Sequence, residues 1–212
     1  MKKLSLILSL MLFWGLALAQ SSSPLSETQG KEVVAQLTEM ATSIKTMQCH
    51  FTQQKTMSML AEPSVSEGTL QYASPDRMRW EYDSPYSVAF IVNGEKTTRL
   101  TEGKAEPLDA KSGIMYQAFA KTILGCASGI NLFDKSMFYI ALFDDENLWK
   151  AEMTPKRHEM KRMLAKLVFY FDKKSRTIKK VDFVESSGDV TKIHFTDIRI
   201  NEEMEEKVFE QP

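Results

Sequence analysis

The chain has 212 residues, with 27 basic and 28 acidic side chains, 43% hydrophobic residues and two cysteines. This balance excludes the basic face that nucleic-acid recognition requires, so no nucleic-acid partner is expected. The three histidines, His50, His158 and His194, are scattered without paired ligand spacing, and neither a metal nor a cofactor is expected.

Residues 1–19 read as a signal peptide: "MKK" is a positive start, "LSLILSLMLFWG" an apolar run, and "ALA" ending at Ala19 a small-residue cleavage site. The run is too short and too close to the N-terminus to favour a spanning helix. Gln20 follows the cut, where a lipoprotein would need cysteine, so the product is expected to be soluble, exported and periplasmic. Residues 20–212 are long enough for a single domain with a sizeable core. Without Lys2 and Lys3, 25 basic residues face 28 acidic ones, a net charge of about −3. Cys49 and Cys126 either form one disulfide, which export permits, or remain two separate buried thiols.

After the "SSSP" linker, Val33, Val34, Leu37, Met40, Ala41, Ile44 and Met47 recur at helical spacing. Ser26 or Thr28 is placed to cap this helix, and Gly30 weakens its first turn, so the firm helix is expected from about Lys31. From Cys49 the period changes to two. Strands are expected at Phe51–Met59, Gly68–Ala73, Arg77–Asp83, Ser87–Val92 and Lys96–Thr101, the last two joined by the hairpin signal Asn93-Gly94. A second helix follows, with Ile114, Met115, Ala118, Phe119, Thr122 and Ile123 on one side and an end at Gly125. Strands resume at Met137–Asp144, Leu148–Thr154, Leu164–Asp172, Ile178–Glu185 and Val190–Ile200.

About ten strands linked as hairpins argue for one antiparallel sheet, and the absence of βαβ alternation argues against a parallel one. Met78, Trp80 and Tyr82 alternate with Arg77, Arg79 and Glu81, so they occupy opposite faces. Leu167, Phe169 and Phe171 share a face; Val181 and Phe183 oppose Asp182, and Ile193 and Phe195 oppose His194. With Trp80 and Phe90 they form one aromatic, apolar inner face. A sheet this wide curls, and two amphipathic helices are available to cover its concave side. Such a face is either an ordinary core or a surface for apolar ligands. Eleven methionines after the leader suit the second use.

Enzyme activity is not expected. There is no GxSxG or HExxH pattern, and Cys49 and His50 are neighbours on a strand, so they point to opposite faces and do not readily share a proton.

The stretch "GTLQYASPDRMRWEYDSPYSVAFIVNGEK" resembles the signature of the LolA family, periplasmic carriers of outer-membrane lipoproteins. The leader, the first helix, Phe51 to Gln54, the strand end at Met153 to Pro155 and Asn201 agree in order. The resemblance implies a mainly β fold with α: an unclosed antiparallel half-barrel of about ten to eleven strands, with helices as a lid over a cavity for acyl chains. It implies a lining of Met78, Trp80, Tyr82, Phe90, Phe169, Phe171, Phe183 and Phe195. The lid face is then Val34, Leu37, Met40, Ile44, Met115 and Phe119. Implied partners are acylated lipoproteins, an ATP-driven inner-membrane releasing complex of the ABC type and an outer-membrane acceptor, with the carrier a monomer. Some members carry an arginine before the first proline that helps hold the lid shut; here that position is Ser74, and Arg77 and Arg79 point away from the lining. The same apolar half-barrel would equally serve a carrier of another lipid or glycolipid.

Overall fold

The computed structural model describes residues 22–106 and 133–210. The leader, the second expected helix with Met115 and Phe119, and Cys126 lie outside the described residues. The described residues begin with β1 (Ser23–Pro24) and α1 (Glu27–Ser43). A first meander follows: β2 (Thr46–Thr56), β3 (Ser64–Ala73), β4 (Arg77–Ser84), β5 (Val88–Asn93), β6 (Lys96–Thr101) and β7 (Lys104–Glu106). The second contains β8 (Phe138–Asp145), β9 (Leu148–Pro155), the short α2 (His158–Lys161), β10 (Leu164–Asp172), β11 (Ile178–Glu185) and β12 (Val190–Ile200). A 3₁₀ turn, Glu206–Phe209, ends the described chain.

The twelve strands of the described residues form one antiparallel sheet in the order β1-β8-β9-β10-β11-β12-β2-β3-β4-β5-β6-β7. Ten are the long strands expected from alternation; β1 and β7, of two and three residues, are too short to show a period. The meanders are joined by the β2–β12 pairing, which matches Phe51 with Phe195 and Met47 with Ile200.

The helix starts earlier than Lys31. Ser26 caps it and Gln29 reaches back to the Ser26 backbone, a reciprocal capping box that offsets Gly30. It also ends earlier than the apolar spacing suggests. Ile44 turns to extended backbone (φ −77°, ψ 113°), so Met47 belongs to β2, which starts before Cys49. The β5–β6 loop is Gly94-Glu95 rather than Asn93-Gly94, because Asn93 still pairs with Lys96 and Gly94 takes the positive φ of 62°.

The sheet curls tightly. Three strand spacings separate β4 from β12, about 14 Å in a flat sheet, yet the Trp80 and Phe195 ring centroids are 6.2 Å apart. Phe51 reaches across β3 to stack on Trp80 at 4.0 Å. Gly68 permits this: it sits in register between Phe51 and Tyr82, with a bulge beside it. A side chain there would occupy the path of the Phe51 ring.

Strand β5 reads apolar throughout because both faces are covered. Phe90 and Val92 face the concave core, while Ala89 and Ile91 join Ala73, Leu100 and Phe209 in a second buried cluster on the convex face. The cover is the C-terminal 3₁₀ turn. Arg77 lies over the Phe209 ring at 5.3 Å and pairs with Glu206 at 3.3 Å, and the Arg79 guanidinium donates to the Val208 carbonyl at 3.4 Å. The outward arginines thus fasten the C-terminus. Phe209→Ala is expected to cost roughly 2–4 kcal/mol in urea unfolding and to expose the last residues to limited proteolysis. A change below about 0.5 kcal/mol would show that the turn adds nothing to the fold.

Candidate functional site

The concave face is the site to consider, because its pattern is continuous across nine strands. From β2 come Met47, Cys49 and Phe51; from β3 Leu70 and Tyr72; from β4 Met78 and Trp80, all buried. Phe90, Ala151, Met153, Leu167, Phe169, Phe171, Val181, Ile193 and Phe195 extend the same cluster, and half-buried Ile140 and Leu142 of β8 pack against it. The register explains this: Met47, Tyr72, Met78 and Val92 are successive partners across β2–β5, as are Cys49, Leu70, Trp80 and Phe90.

Every residue expected to line the site is described. Met78, Trp80, Phe90, Phe169, Phe171 and Phe195 are buried in this cluster, whereas Tyr82 and Phe183 are half-buried against it. Burial therefore falls off toward the edge formed by the β2–β3, β4–β5 and β11–β12 turns. There the Tyr82 hydroxyl donates to Gln53 at 3.0 Å. At the β6 end of the sheet the face carries Arg99 opposite Phe90, paired with Glu106 at 3.7 Å. Alternation of β6 alone could have placed Arg99 inward, but β6 is too polar for an inner face to show in its sequence.

Helix α1 covers the opposite part of the concave side. Val33, Leu37 and Ala41 are buried, Met40 packs partly against the core, and Val34 lies half-buried at the flank. Ile44, also expected on the lid, is buried but belongs to the connection after the helix. Under the end of α1, between Leu37, Ala41, Ile44, Met47, Phe171 and Ile178, a gap of about 10 Å³ remains. That is about one water. The helix is seated closely on the sheet at this end, and an acyl chain enters there only if α1 moves.

The chain is fastened at both ends of α1. Before it, β1 pairs with β8 and the Leu25 N–H donates to the Leu142 carbonyl at 2.9 Å; after it, polar bonds gather around Asn201. Asn201, in a left-handed conformation (φ 58°), accepts from the Lys45 N–H at 2.7 Å. Its amide donates to the Ser43 carbonyl at 3.1 Å, and its backbone N–H donates to Thr46. The only ion pair from the helix to the sheet side among the described residues is Glu39–Arg176 at 3.7 Å, largely exposed. Ser74 donates its backbone N–H to the Lys45 carbonyl, so this position also serves the α1–β2 connection.

Cys49 is a free, buried thiol, and burial pushes it up to about 12, so it stays protonated on the concave face while His50 is exposed on the other. A thiol held so far from ionisation is a poor nucleophile. Among the described residues no group of His, Cys, Asp and Glu is arranged to hold a metal ion. Trp149 sits at the start of β9 opposite Phe171, half-buried against the same core.

The comparisons with known proteins agree with this architecture. A family model described as outer membrane lipoprotein carrier protein LolA matches residues 42–212. It begins near the end of α1 and spans β2 to β12. The outer-membrane lipoprotein carrier protein of Methylibium petroleiphilum is 26% identical over 157 residues, 72% of this chain and 71% of that one. That of Pseudoalteromonas translucida is 22% identical over 186 residues, covering 82% and 80%. Among solved structures, the Pseudomonas aeruginosa MucA/MucB complex matches with a TM-score of 0.51 at 12% identity, covering 86% of this chain and 60% of that one, a likeness of fold alone.

Proposed function

The chain belongs to the LolA family of outer membrane lipoprotein carrier proteins, and from that premise we propose that it is a periplasmic carrier holding lipoprotein acyl chains against the concave face. Lipoproteins would travel from an inner-membrane ABC-type releasing complex to an outer-membrane acceptor, with the carrier acting as a monomer and making or breaking no covalent bond. The observation that supports this most is the aromatic concave face closed by one helix with three buried side chains.

The magnitudes suit reversible holding. Lifting Val33, Leu37 and Ala41 off the sheet exposes side chains worth roughly 4–7 kcal/mol together. A buried sixteen-carbon chain gains about 12 kcal/mol at about 0.8 kcal/mol per methylene. The lid offsets much of that gain, so one chain is retained but can still be released. The lining is Met78, Trp80, Tyr82, Phe90, Phe169, Phe171, Phe183 and Phe195, and α1 with Leu37 and Met40 is the part that moves.

Trp80 provides the test. It is 1% exposed, so shielding from a soluble quencher cannot rise much on loading; contact quenching can still report a chain. In a Trp149→Phe background it is the sole tryptophan after leader removal. A dibrominated eighteen-carbon acid is expected to quench its emission saturably, and the unbrominated acid is not. No quenching below the micellar concentration would return the concave face to an ordinary packed core. Mass spectrometry of lipid extracted from the purified protein separates a lipoprotein cargo from another lipid or glycolipid.

A further inference from the structure

Six large hydrophobic side chains are exposed among the described residues: Met59, Leu60, Val65, Tyr86, Tyr139 and Met163. All six lie at one end of the sheet. Met59 and Leu60 form the β2–β3 turn, Val65 is the second residue of β3, Tyr86 is in the β4–β5 turn, Tyr139 begins β8, and Met163 precedes β10. The antiparallel register puts these positions on a common edge: Lys55 pairs with Ser64, Val190 with Thr56, Leu164 with Glu185, and Phe138 with Pro155. Hydrogen bonds tie the turns together. Ser58 donates to Asp189 at 2.9 Å, and Ser186 donates its N–H to the Met163 carbonyl at 3.1 Å and its hydroxyl to Lys161. At the opposite end the turns carry Asp76, Glu95, Glu146, Lys173 and Lys174 and none of the six. Scattered single hydrophobes on a surface are ordinary; confinement of all of them to one end is not.

The charge on this rim is positive at the β9–β10 connection, whereas its other turns and strand ends carry Glu62, Asp83, Glu102 and Asp189. The segment from Lys156 to Met163, "KRHEMKRM", holds Lys156, Arg157, Lys161 and Arg162 against Glu159 alone. Among the described residues none of these four cations is in an ion pair, whereas nearby Lys55 is matched by Glu185 at 3.3 Å. Lys156 lies over the Tyr139 ring at 4.8 Å, which joins the cationic segment to the apolar rim. Flexible methionine and leucine, interfacial tyrosine and unmatched Lys and Arg together have the chemistry of a surface that rests on anionic headgroups and inserts shallowly. No helix among the described residues is long and apolar enough to span a bilayer.

We propose that this end of the sheet, with Met59, Leu60 and Met163 beside the Lys156–Arg162 segment, is a docking surface for an anionic lipid bilayer. Burial of the concave face declines toward this end at Tyr82 and Phe183, while Pro155 of β9 stays buried, so docking would bring the Tyr82–Phe183 part of that face to the membrane. The surface does not depend on what the concave face carries.

The purified protein is sedimented with vesicles of phosphatidylcholine alone or with phosphatidylglycerol added. Binding is expected to the anionic vesicles only and to weaken steeply with salt. Met59→Ser/Leu60→Ser/Met163→Ser and Lys161→Glu/Arg162→Glu are each expected to lower the apparent affinity by about tenfold or more. Lys45→Glu/Lys174→Glu, at the opposite end, should leave it within about twofold. All these positions are exposed, and thermal unfolding should show the variants folded. Met78→Glu is assayed at about pH 5, where its stability deficit is smallest, and checked for folding by thermal unfolding. It should still bind vesicles even where acyl quenching of Trp80 is lost, which separates this surface from the carrier reading. Equal binding to both vesicles, no binding, or equal loss from changes at either end overturns the proposal. So does rim-dependent binding to a protein without any to lipid.

Discussion

Replacing Gly68 with alanine is expected to destabilise the fold by about 3 kcal/mol or more, because it has the tightest surroundings of the described glycines. A β-carbon there would lie 1.9 Å from the Glu81 carbonyl oxygen, 2.9 Å from its carbon and 2.7 Å from the tip of the Phe51 ring. Two of these atoms are backbone of the neighbouring strand. They cannot swing aside as a side chain can, so β3 and β4 must separate or Phe51 must leave its stack with Trp80. At about 2–4 °C per kcal/mol for a domain of this size, the melting temperature should fall by roughly 6–12 °C. Gly30→Ala is the contrast: its β-carbon meets only Leu142 at 3.4 Å, and better helix propensity makes it neutral or stabilising by up to about 1 kcal/mol. If Gly68→Ala lowers stability by less than about 1 kcal/mol, the bend at β3 is not what sets the curl.

Met78→Glu should be comparably damaging, with an effect that grows with pH. Met78 is 1% exposed on the concave face, opposite Tyr72 and Val92. A carboxylate there loses its hydration with no cation placed to meet it, so the side chain stays protonated in the folded protein to higher pH than in the unfolded chain. The folded state then binds the extra proton, and the variant loses stability as pH rises above about 4.3 toward the raised folded value. Urea unfolding should show a deficit of roughly 2–3 kcal/mol near pH 5 that grows by up to about 1.4 kcal/mol per pH unit above it. Saturable quenching of Trp80 by the brominated chain should be lost. Met78→Leu, which conserves volume, should cost less than about 1.5 kcal/mol. Arg79→Glu, on the outer face, breaks the pair with Glu81 at 2.7 Å and the bond to Val208 but should leave chain binding intact. A Met78→Glu deficit that does not change with pH would mean the new carboxyl has found water, and that this part of the face is not dry.

The arrangement of α1 bears on how a carrier of this kind would work. It is fastened at both ends, by the short β1–β8 pairing and the Leu25–Leu142 bond before it and around Asn201 after it, while its buried contacts are the three apolar side chains along its length. A helix held by a two-residue strand pairing at one end, polar bonds at the other and modest apolar burial between them can lift from the sheet by releasing the short pairing, without unfolding the ten long strands. Opening then exposes Leu37 and the surface beneath it, which an acyl chain can cover again. Helix motion and cargo burial are thus two exchanges of the same apolar contact.

Much of this was legible in the amino-acid sequence because alternation is a local property. Period two in "RMRWEY" decides that Met78 and Trp80 share a face, and the same counting places Phe169, Phe171, Val181 and Phe195. Strands β10, β11 and β12 have the boundaries expected from it. Local rules misled where two of them compete: Gly30 argued for a late helix start, and the Ser26–Gln29 capping box overruled it. Other features have no local signal. Strand β5 is apolar on both faces because Phe209, distant in sequence, covers the convex side. Asn201 closes the end of α1 only because β12 pairs with β2. That Met59, Tyr86 and Met163 stand at one end follows from the register of the whole sheet. The sequence by itself determined which side chains turn inward, since pleating sets that residue by residue. Only the tertiary structure decided what covers each face and which turns meet, because those depend on pairings between segments far apart in the chain.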